Sequence, residues 1–168
     1  MPLPTTLWHT WLTDPTVLAR FETKRYSPSP TACWHWLGAI SSTGHGSFRA
    51  ATLPGPTRRG TVPAHLFAYH LLHGPPTTTD LVLCHQCDEA GCVNPTHLRL
   101  GTKAQNRTEW STRRHNPHSP LADTRGPADR SRAIAQTIRT ALAADEPACR
   151  IKGHILVTQN KGCPLVLW

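Results

Sequence analysis

The chain has 168 residues, of which 38% are hydrophobic, and its 18 lysines and arginines against 10 acidic residues give a net charge of +8. With 16 prolines and 11 glycines, this composition argues against a large continuous core and favours one modest domain with extensions, stabilised in part by a bound metal. No signal-peptide pattern opens the chain and no apolar run approaches the ~20 residues of a membrane span, so we expect a soluble cytoplasmic protein without a membrane partner.

The first half of the chain predicts a helical segment followed by a β-hairpin. Residues 1–30 form the helical segment, in which Asp14-Pro15 is a typical helix start. Strands near 33–40 and 46–52, joined by a glycine-containing turn, form the hairpin. A helix over 61–73 and a short buried strand at 81–83 follow.

The second half begins with a helix from about Lys103 to Arg113, because Thr102 and Gln105 form a capping box. Residues 114–128 have the composition of a linker. Apolar residues at helical spacing predict a helix over 129–144, and the remaining tail resembles a hairpin. The predicted organisation is therefore an N-terminal segment, a central domain, a linker and a C-terminal extension, at 1–30, 31–113, 114–128 and 129–168.

Three potential zinc ligands fall within eleven residues. Cys87, Cys92 and His97 have a spacing compatible with one tetrahedral zinc ion, and in a reducing compartment cysteines serve more often as metal ligands than as disulfides. A fourth ligand is needed to close a structural site. Cys33, from the first hairpin, is favoured over the local alternative Cys84, which falls in the apolar phase of the preceding strand. A buried-thiol interpretation is the alternative.

A second zinc site is a weaker hypothesis. Cys149, His154 and Cys163 lie near one another in the sequence, and His115 or His118 would be a further ligand. Their spacing matches no zinc motif.

A possible catalytic pair lies in the same central stretch. His85 is not needed for zinc, and a neutral imidazole is suited to deprotonate water near pH 7. Asn106 falls in the first turns of the capped helix, where its amide oxygen could bind Mg²⁺ beside a substrate phosphate. Taken singly, each has an ordinary explanation: a structural histidine and a helix-surface amide.

These residues together resemble a known family. The pattern H-x-C-x4-C-x-N-P-x-H-L…N, from His85 to Asn106, is similar to the HNH or His-Me finger endonucleases, and most like the His-Cys box homing enzymes and related phage HNH nucleases. Weaker similarity extends over 20–46 and 65–74. His45 and Leu66 depart from the family, which commonly has Tyr and Arg there.

The resemblance implies a small α+β fold, namely a zinc-stapled ββα-metal domain with an N-terminal β-hairpin and a helical or hairpin C-terminal extension. It also implies roles for individual residues. His85 would be the general base, Asn106 the Mg²⁺ ligand and Asn94 the residue that orients His85. Zn²⁺ would be held by Cys33, Cys87, Cys92 and His97.

The basic charge favours a polyanionic partner. Between residues 99 and 139 there are nine basic and three acidic side chains, so six of the eight net charges lie there. A solvated basic surface would have the same composition. The candidate DNA-contacting residues are Arg49, which could also contact the scissile phosphate, Arg58, Arg59, Lys103, Arg107, Arg113, Arg114, Arg132 and Arg139.

The sequence thus predicts a Mg²⁺-dependent endonuclease that cuts double-stranded DNA to 5′-phosphate and 3′-hydroxyl ends, of the sequence-specific homing or restriction type. One site cuts one strand, so a double-strand break implies a homodimer, with the tail at 164–168 as a candidate contact. The alternatives are a nicking or weakly specific phage-type nuclease and a non-catalytic zinc module that binds DNA.

Overall fold

A computed structural model describes residues 3–53, 60–75, 77 and 80–164. Two helices open the chain, α1 (Thr5–Thr13) and α2 (Pro15–Glu22). The Asp14 carboxylate caps α2 by accepting hydrogen bonds from the backbone N–H groups of Thr16 and Val17, at 2.8 and 3.4 Å. The predicted helix start at Asp14-Pro15 is confirmed, and α1 is a separate helix before it.

Three small antiparallel sheets follow, and the predicted single hairpin is divided between two of them. β2 (His35–Trp36) pairs with β1 (Arg25–Tyr26), whereas β3 (Ala39–Ile40) pairs with β4 (Gly46–Arg49). The break falls at Gly38, where a Cβ atom would lie 2.8 Å from the Trp36 indole nitrogen, so the chain turns tightly around that ring.

The predicted helix over 61–73 begins later than expected. Thr61–Pro63 forms strand β5, which pairs with β4, and helix α3 runs over Ala64–His73. The prediction took Pro63 as a first-turn residue; it is instead the residue that precedes the helix, in extended conformation.

The first core lies between α1, α2, α3 and the first two sheets. Its members are fully buried and mostly aromatic, and Phe21 contacts the rings of Trp36, Phe48 and Phe67 with centroids 4.9–5.2 Å apart. Such packing contributes roughly 0.5–1.5 kcal/mol per aromatic pair beyond area burial.

The third sheet and the helix after it carry most of the predicted site. β6 (Val82–His85) pairs with β7 (Leu98–Gly101), His85 opposite Leu98, and α4 (Lys103–Arg113) follows directly. The Thr102–Gln105 capping box is present, as predicted. The strand predicted at 81–83 begins one residue later, and Val82 and Leu83 are only half-buried, so the prediction of a buried strand is wrong. The one buried residue of β6 is Cys84.

The C-terminal part is a pair of helices, not a helix and a hairpin. Helix α5 runs over Gly126–Ala143 and α6 over Ala148–Asn160. Ile151 and Ile155 of α6 pack on Ile134 and Ile138 of α5 in a second core. In each helix the two isoleucines are four residues apart and so lie on one face, and burial of these faces outweighs the strand propensity of the Ile-Leu-Val run. The predicted hairpin over 154–159 is therefore wrong, and residues 165–168 lie outside the described part.

The segment predicted as a linker is ordered and tied to the central domain. Asp123 is buried and accepts hydrogen bonds from Arg125 and Arg130, and Arg130 also pairs with the buried Glu89 at 3.0 Å. Glu89 lies in the turn between Cys87 and Cys92. This buried ionic group therefore joins the C-terminal helix pair to the cysteine-containing turn.

Among the residues that the structure describes, none of the helices combines the length and the apolar character that a membrane span requires.

Candidate metal centre and histidine cluster

Four of the predicted zinc ligands meet at one point. The Sγ atoms of Cys33, Cys87 and Cys92 and one ring nitrogen of His97 all lie within 4.8 Å of one another. His97 Nδ1 is 3.6 Å from the sulfurs of both Cys33 and Cys92. Three thiols and one imidazole are a donor set suited to structural zinc, so this cluster could hold such an ion.

Cys33 reaches the cluster through backbone pairing. The Trp36 N–H donates to the Gly91 carbonyl at 3.0 Å, and the Val93 N–H donates to the Trp34 carbonyl at 2.8 Å. Residues 34–36 thus run alongside 91–93, and Cys33 emerges beside Cys92. Cys33 rather than Cys84 is thus the fourth member of the cluster, as expected, since Cys84 is buried on β6 with its sulfur near the Val82 carbonyl.

Polar contacts around the cluster fix the ligand atoms. His97 Nε2 donates to the Thr31 carbonyl at 3.1 Å, which leaves Nδ1 unprotonated and free for a metal. Hydrogen bonds from the Cys33 and Cys92 thiols lower the pKa of Cys87, which favours the thiolate form that binds a metal.

Asn94 has a different role from the one implied by the resemblance. Its buried amide nitrogen donates to the carbonyls of Pro30 and Ala32, and its amide oxygen accepts from the backbone and hydroxyl of Thr96. Both ends of this amide are engaged away from His85. Asn94 therefore ties residues 30–32 to the ligand-bearing turn.

His85 ends β6 with a defined tautomer. Its Nε2 lies 3.0 Å from the Cys92 carbonyl oxygen, which can only accept, so Nε2 carries the proton. Burial lowers the pKa of His85, which keeps the ring neutral at pH 7. The lone pair of His85 is therefore on Nδ1.

Two further histidines surround His85. The ring centroid of His65, on α3, is 5.0 Å from that of His85, and His45, in the turn before β4, is 5.4 Å from it; His45 and His65 are 4.9 Å apart. In the sequence, His45 is noticeable only as a departure from the family pattern, and His65 only as the first residue of a weakly similar stretch. The three histidines are at least twenty residues apart in the sequence, so no local motif indicates that they form a cluster.

His45 is held by its neighbours. Its Nδ1 shares a hydrogen bond of 2.9 Å with the Thr43 hydroxyl. Gly44 has φ +85°, and a Cβ atom on Gly46 would lie 2.5 Å from the Trp36 ring. Both flanking glycines are thus required by the local backbone and packing.

Asn106 lies on the exposed side of the first turn of α4, as predicted. Helix α4 buries none of its own residues, so apolar packing does not hold it. Ion pairs do: Arg113 is 2.9 Å from Asp88 and 3.1 Å from Glu109, and Arg99 also pairs with Glu109.

The predicted DNA-contacting residues divide into three groups. The first group is exposed and comprises Arg49 at the end of β4, Lys103 and Arg107 on α4, and Arg114 directly after α4; Arg132 and Arg139 of the next group are exposed as well. Three are engaged within the chain, since Arg113 forms the ion pairs above, Arg132 pairs with Asp129, and Arg139 donates to the Leu37 carbonyl. Arg58 and Arg59 lie outside the described residues.

The second predicted zinc site does not form among the described residues. Cys149 is exposed, His154 pairs with Glu146 at 2.8 Å, and the Cys163 thiol contacts the Pro117 carbonyl. Only Cys33, Cys87, Cys92 and His97 bring three or more such ligand atoms together in that part of the chain.

No protein-family model matches the chain, and no solved structure matches it. Two curated proteins of Escherichia phage T7 are similar to it. Protein 2.8 is 27% identical over 86 residues, which is 51% of this chain and 54% of the relative. Protein 7.7 is 32% identical over 81 residues, which is 48% of this chain and 56% of the relative. The chain spans about half the length of the curated relatives it matches.

Proposed function

We propose that the protein is a Mg²⁺-dependent endonuclease that hydrolyses phosphodiesters of double-stranded DNA, with His85 as general base. The observation that carries the proposal is the tautomer of His85: Nε2 is committed to the Cys92 carbonyl, so a neutral imidazole presents the basic Nδ1. The order β6, β7, α4 and the cluster of Cys33, Cys87, Cys92 and His97 support it, because both are what the HNH resemblance implies.

In this proposal, His85 Nδ1 accepts a proton from the water that attacks phosphorus. The bond from phosphorus to the 3′ oxygen breaks, which leaves a 5′-phosphate, and the departing 3′ oxygen takes up a proton to become a hydroxyl. A Mg²⁺ ion, held by the Asn106 amide oxygen and substrate phosphate, would neutralise charge on the phosphate and on the leaving oxygen.

The exposed basic side chains supply the contacts to DNA. Lys103 and Arg107 lie on the same helix as Asn106, Arg114 directly follows that helix, and Arg49 ends β4, four residues after His45. Contacts of this kind position a duplex without reading its sequence, and they weaken steeply as salt increases. Cutting both strands would require two copies of the chain, and sedimentation on a cognate duplex would test for the dimer.

The decisive experiment is cleavage of supercoiled plasmid by wild type, His85→Ala and Asn106→Ala with and without Mg²⁺. We expect wild type to cut only with Mg²⁺, and both variants to lose at least about 10²-fold in rate. His115→Gln, an exposed histidine after α4, is the matched control. Product ends should be ligatable without phosphorylation, since the phosphate stays on the 5′ side.

One result would contradict the proposed enzymatic function. If wild type and His85→Ala contain the same zinc and bind DNA equally, and neither cuts it with Mg²⁺, the chain is a DNA-binding zinc module. Nicked rather than linear product would instead identify a nicking enzyme.

A further inference from the structure

The three histidines around His85 form a group that catalysis by one base does not require. They come from three elements, with His45 before β4, His65 on α3 and His85 at the end of β6. Their ring centroids are 4.9, 5.0 and 5.4 Å apart. Three imidazoles on one tetrahedral zinc ion, each with a Zn–N bond of about 2.0–2.1 Å, would have centroids roughly 5 Å apart. The rings therefore already have the separation that a shared ion would impose.

We propose that His45, His65 and His85 bind one borderline-soft divalent transition-metal ion, such as Zn²⁺, Co²⁺ or Ni²⁺, at a site separate from the Cys/His cluster. The ligand atoms follow from the hydrogen bonds. His85 Nδ1 carries a lone pair, and His45 contacts Thr43 through Nδ1, which leaves its Nε2 free. His65 Nδ1 is buried and has no hydrogen-bond partner among the residues that the structure describes.

The buried nitrogen of His65 is an independent indication of a ligand. Burying an imidazole nitrogen without a hydrogen-bond partner is unfavourable. Rotation of the ring toward an ion would relieve that cost. Of the polar side-chain atoms that the structure describes as buried and unpartnered, this is the one that belongs to a potential metal ligand.

The group is also in the protonation state that metal binding needs. Burial and the neighbouring rings together lower the pKa of His45 to about 4 and that of His65 well below the usual range. These two imidazoles are therefore neutral at pH 7 and available as ligands. Neutral imidazole selects zinc, nickel or cobalt over the hard Mg²⁺ ion.

The site closes by rotation of side chains. In the described part of the chain, the Cys/His cluster alone has three or more ligand atoms within 4.8 Å of one another, so the three histidine rings must turn to bring their nitrogens together. The outer torsion of histidine is broad, so a modest rotation of each ring costs little free energy. Formation of three metal–nitrogen bonds exceeds that cost.

One consequence rests on the proposed function. An ion on the histidines occupies the lone pair of His85 Nδ1, which is the lone pair that would accept the proton from water. Transition-metal ions would therefore inhibit the Mg²⁺-dependent reaction, and their release would restore it. Binding of a transition-metal ion to the three histidines would therefore inactivate the enzyme reversibly.

The test uses protein that already contains one zinc per chain, dialysed against Co²⁺. We expect wild type to take up one cobalt ion with its zinc retained, and to show the visible bands of nitrogen-bound cobalt without thiolate-to-cobalt charge transfer. His45→Tyr keeps a ring but removes a ligand, so its cobalt affinity should fall at least tenfold. His9→Gln, which changes an exposed histidine on α1, should bind as wild type does.

Absence of a second ion in wild type, or equal cobalt uptake by His45→Tyr, would overturn the proposal. His65→Gln is a second variant with the same expectation, should the first fail to retain zinc. Excess Zn²⁺ added to cleavage assays, each protein compared with its own rate in Mg²⁺ alone, should inhibit wild type more than His45→Tyr. If wild type takes up cobalt but cleaves no DNA, the proposed metal site is supported and the proposed nuclease function is contradicted.

Discussion

The Arg113 guanidinium lies 2.9 Å from the Asp88 carboxylate and so joins the last residue of α4 to the turn that follows His85. It also lies 3.4 and 3.5 Å from the carbonyl oxygens of Gln86 and His85. Asp88 has φ +57°, a conformation that aspartate tolerates better than most residues. Since α4 buries none of its residues, these contacts set the position of Asn106 relative to His85.

Replacing Arg113 should therefore reduce cleavage without loss of zinc. We expect Arg113→Ala to lower kcat by roughly 10²-fold with a smaller change in KM, because a displacement of about 1 Å in a catalytic group has that effect. Arg113→Lys keeps one ion pair and should recover part of the rate. Arg114→Ala, the exposed neighbour that stacks on Trp110, is the control and should weaken DNA binding instead. A parallel loss of zinc would show that Arg113 serves the fold alone.

Removal of Cys33 tests whether the first sheet and the central turn share one metal. Cys33→Ser should reduce bound zinc from about one ion per chain to a small fraction and lower Tm by roughly 10 °C or more, since structural zinc contributes folding free energy. Cys149→Ser changes an exposed thiol on α6 and should leave both unchanged. Zinc by mass spectrometry and Tm by circular dichroism are the measurements. Full zinc in Cys33→Ser would instead assign the fourth position elsewhere.

The second core can be tested by a matched pair on α5. Ile138 is fully buried against α6, whereas Leu142, one turn later, is 46% exposed. Ile138→Ala should lower the free energy of unfolding by about 2–5 kcal/mol, because it removes buried methylene groups and leaves a cavity. Leu142→Ala should change it by less than about 1 kcal/mol. Urea denaturation of both variants measures the difference, and equal losses would contradict the packing described.

Asp123 should make stability depend on acid pH. Burial opposes its ionisation, but hydrogen bonds from Arg125 and Arg130 outweigh this and lower the pKa of Asp123 to about 2. Its folded pKa is thus below the unfolded value near 3.8, so its contribution is complete above pH 4 and is lost as pH falls toward 2. That contribution is on the order of 2 kcal/mol.

The measurement is the difference in unfolding free energy between wild type and Asp123→Asn at successive pH values. Release of zinc in acid affects both proteins and cancels in this difference. We expect the difference to shrink between pH 4 and 2. A constant difference over that range would mean that the Asp123 carboxylate is not paired as described.

Local signals in the sequence were sufficient for part of this structure. The capped helix α4 was predicted correctly, and Cys87, Cys92 and His97 come together as expected, because each feature depends on residues within a short stretch of sequence. Cys33 was predicted from chemistry, since zinc needs a fourth ligand. The backbone pairing of 34–36 with 91–93 that delivers Cys33 has no sequence signal of its own.

The predictions were wrong or incomplete where contacts between residues far apart in the sequence determine the structure. The Ile-Leu-Val run of α6 has strand propensity, but the apolar face of α5 selects a helix. Arg113 counted as one more basic side chain until its acidic partners were located. The histidine cluster joins positions 45, 65 and 85, and it depends on how α3 packs beside the β3–β4 turn and β6.

The link between Cys33 and His97 spans 64 residues, and this distance matters while the chain is being made. At about 5–20 residues per second, Cys33 leaves the ribosome roughly 3–13 s before its last partner. Throughout that interval Trp34, Trp36 and a free thiol lack the strand and the ligands that will cover them. The N-terminal half of the protein therefore cannot complete the four-residue cluster until His97 has left the ribosome.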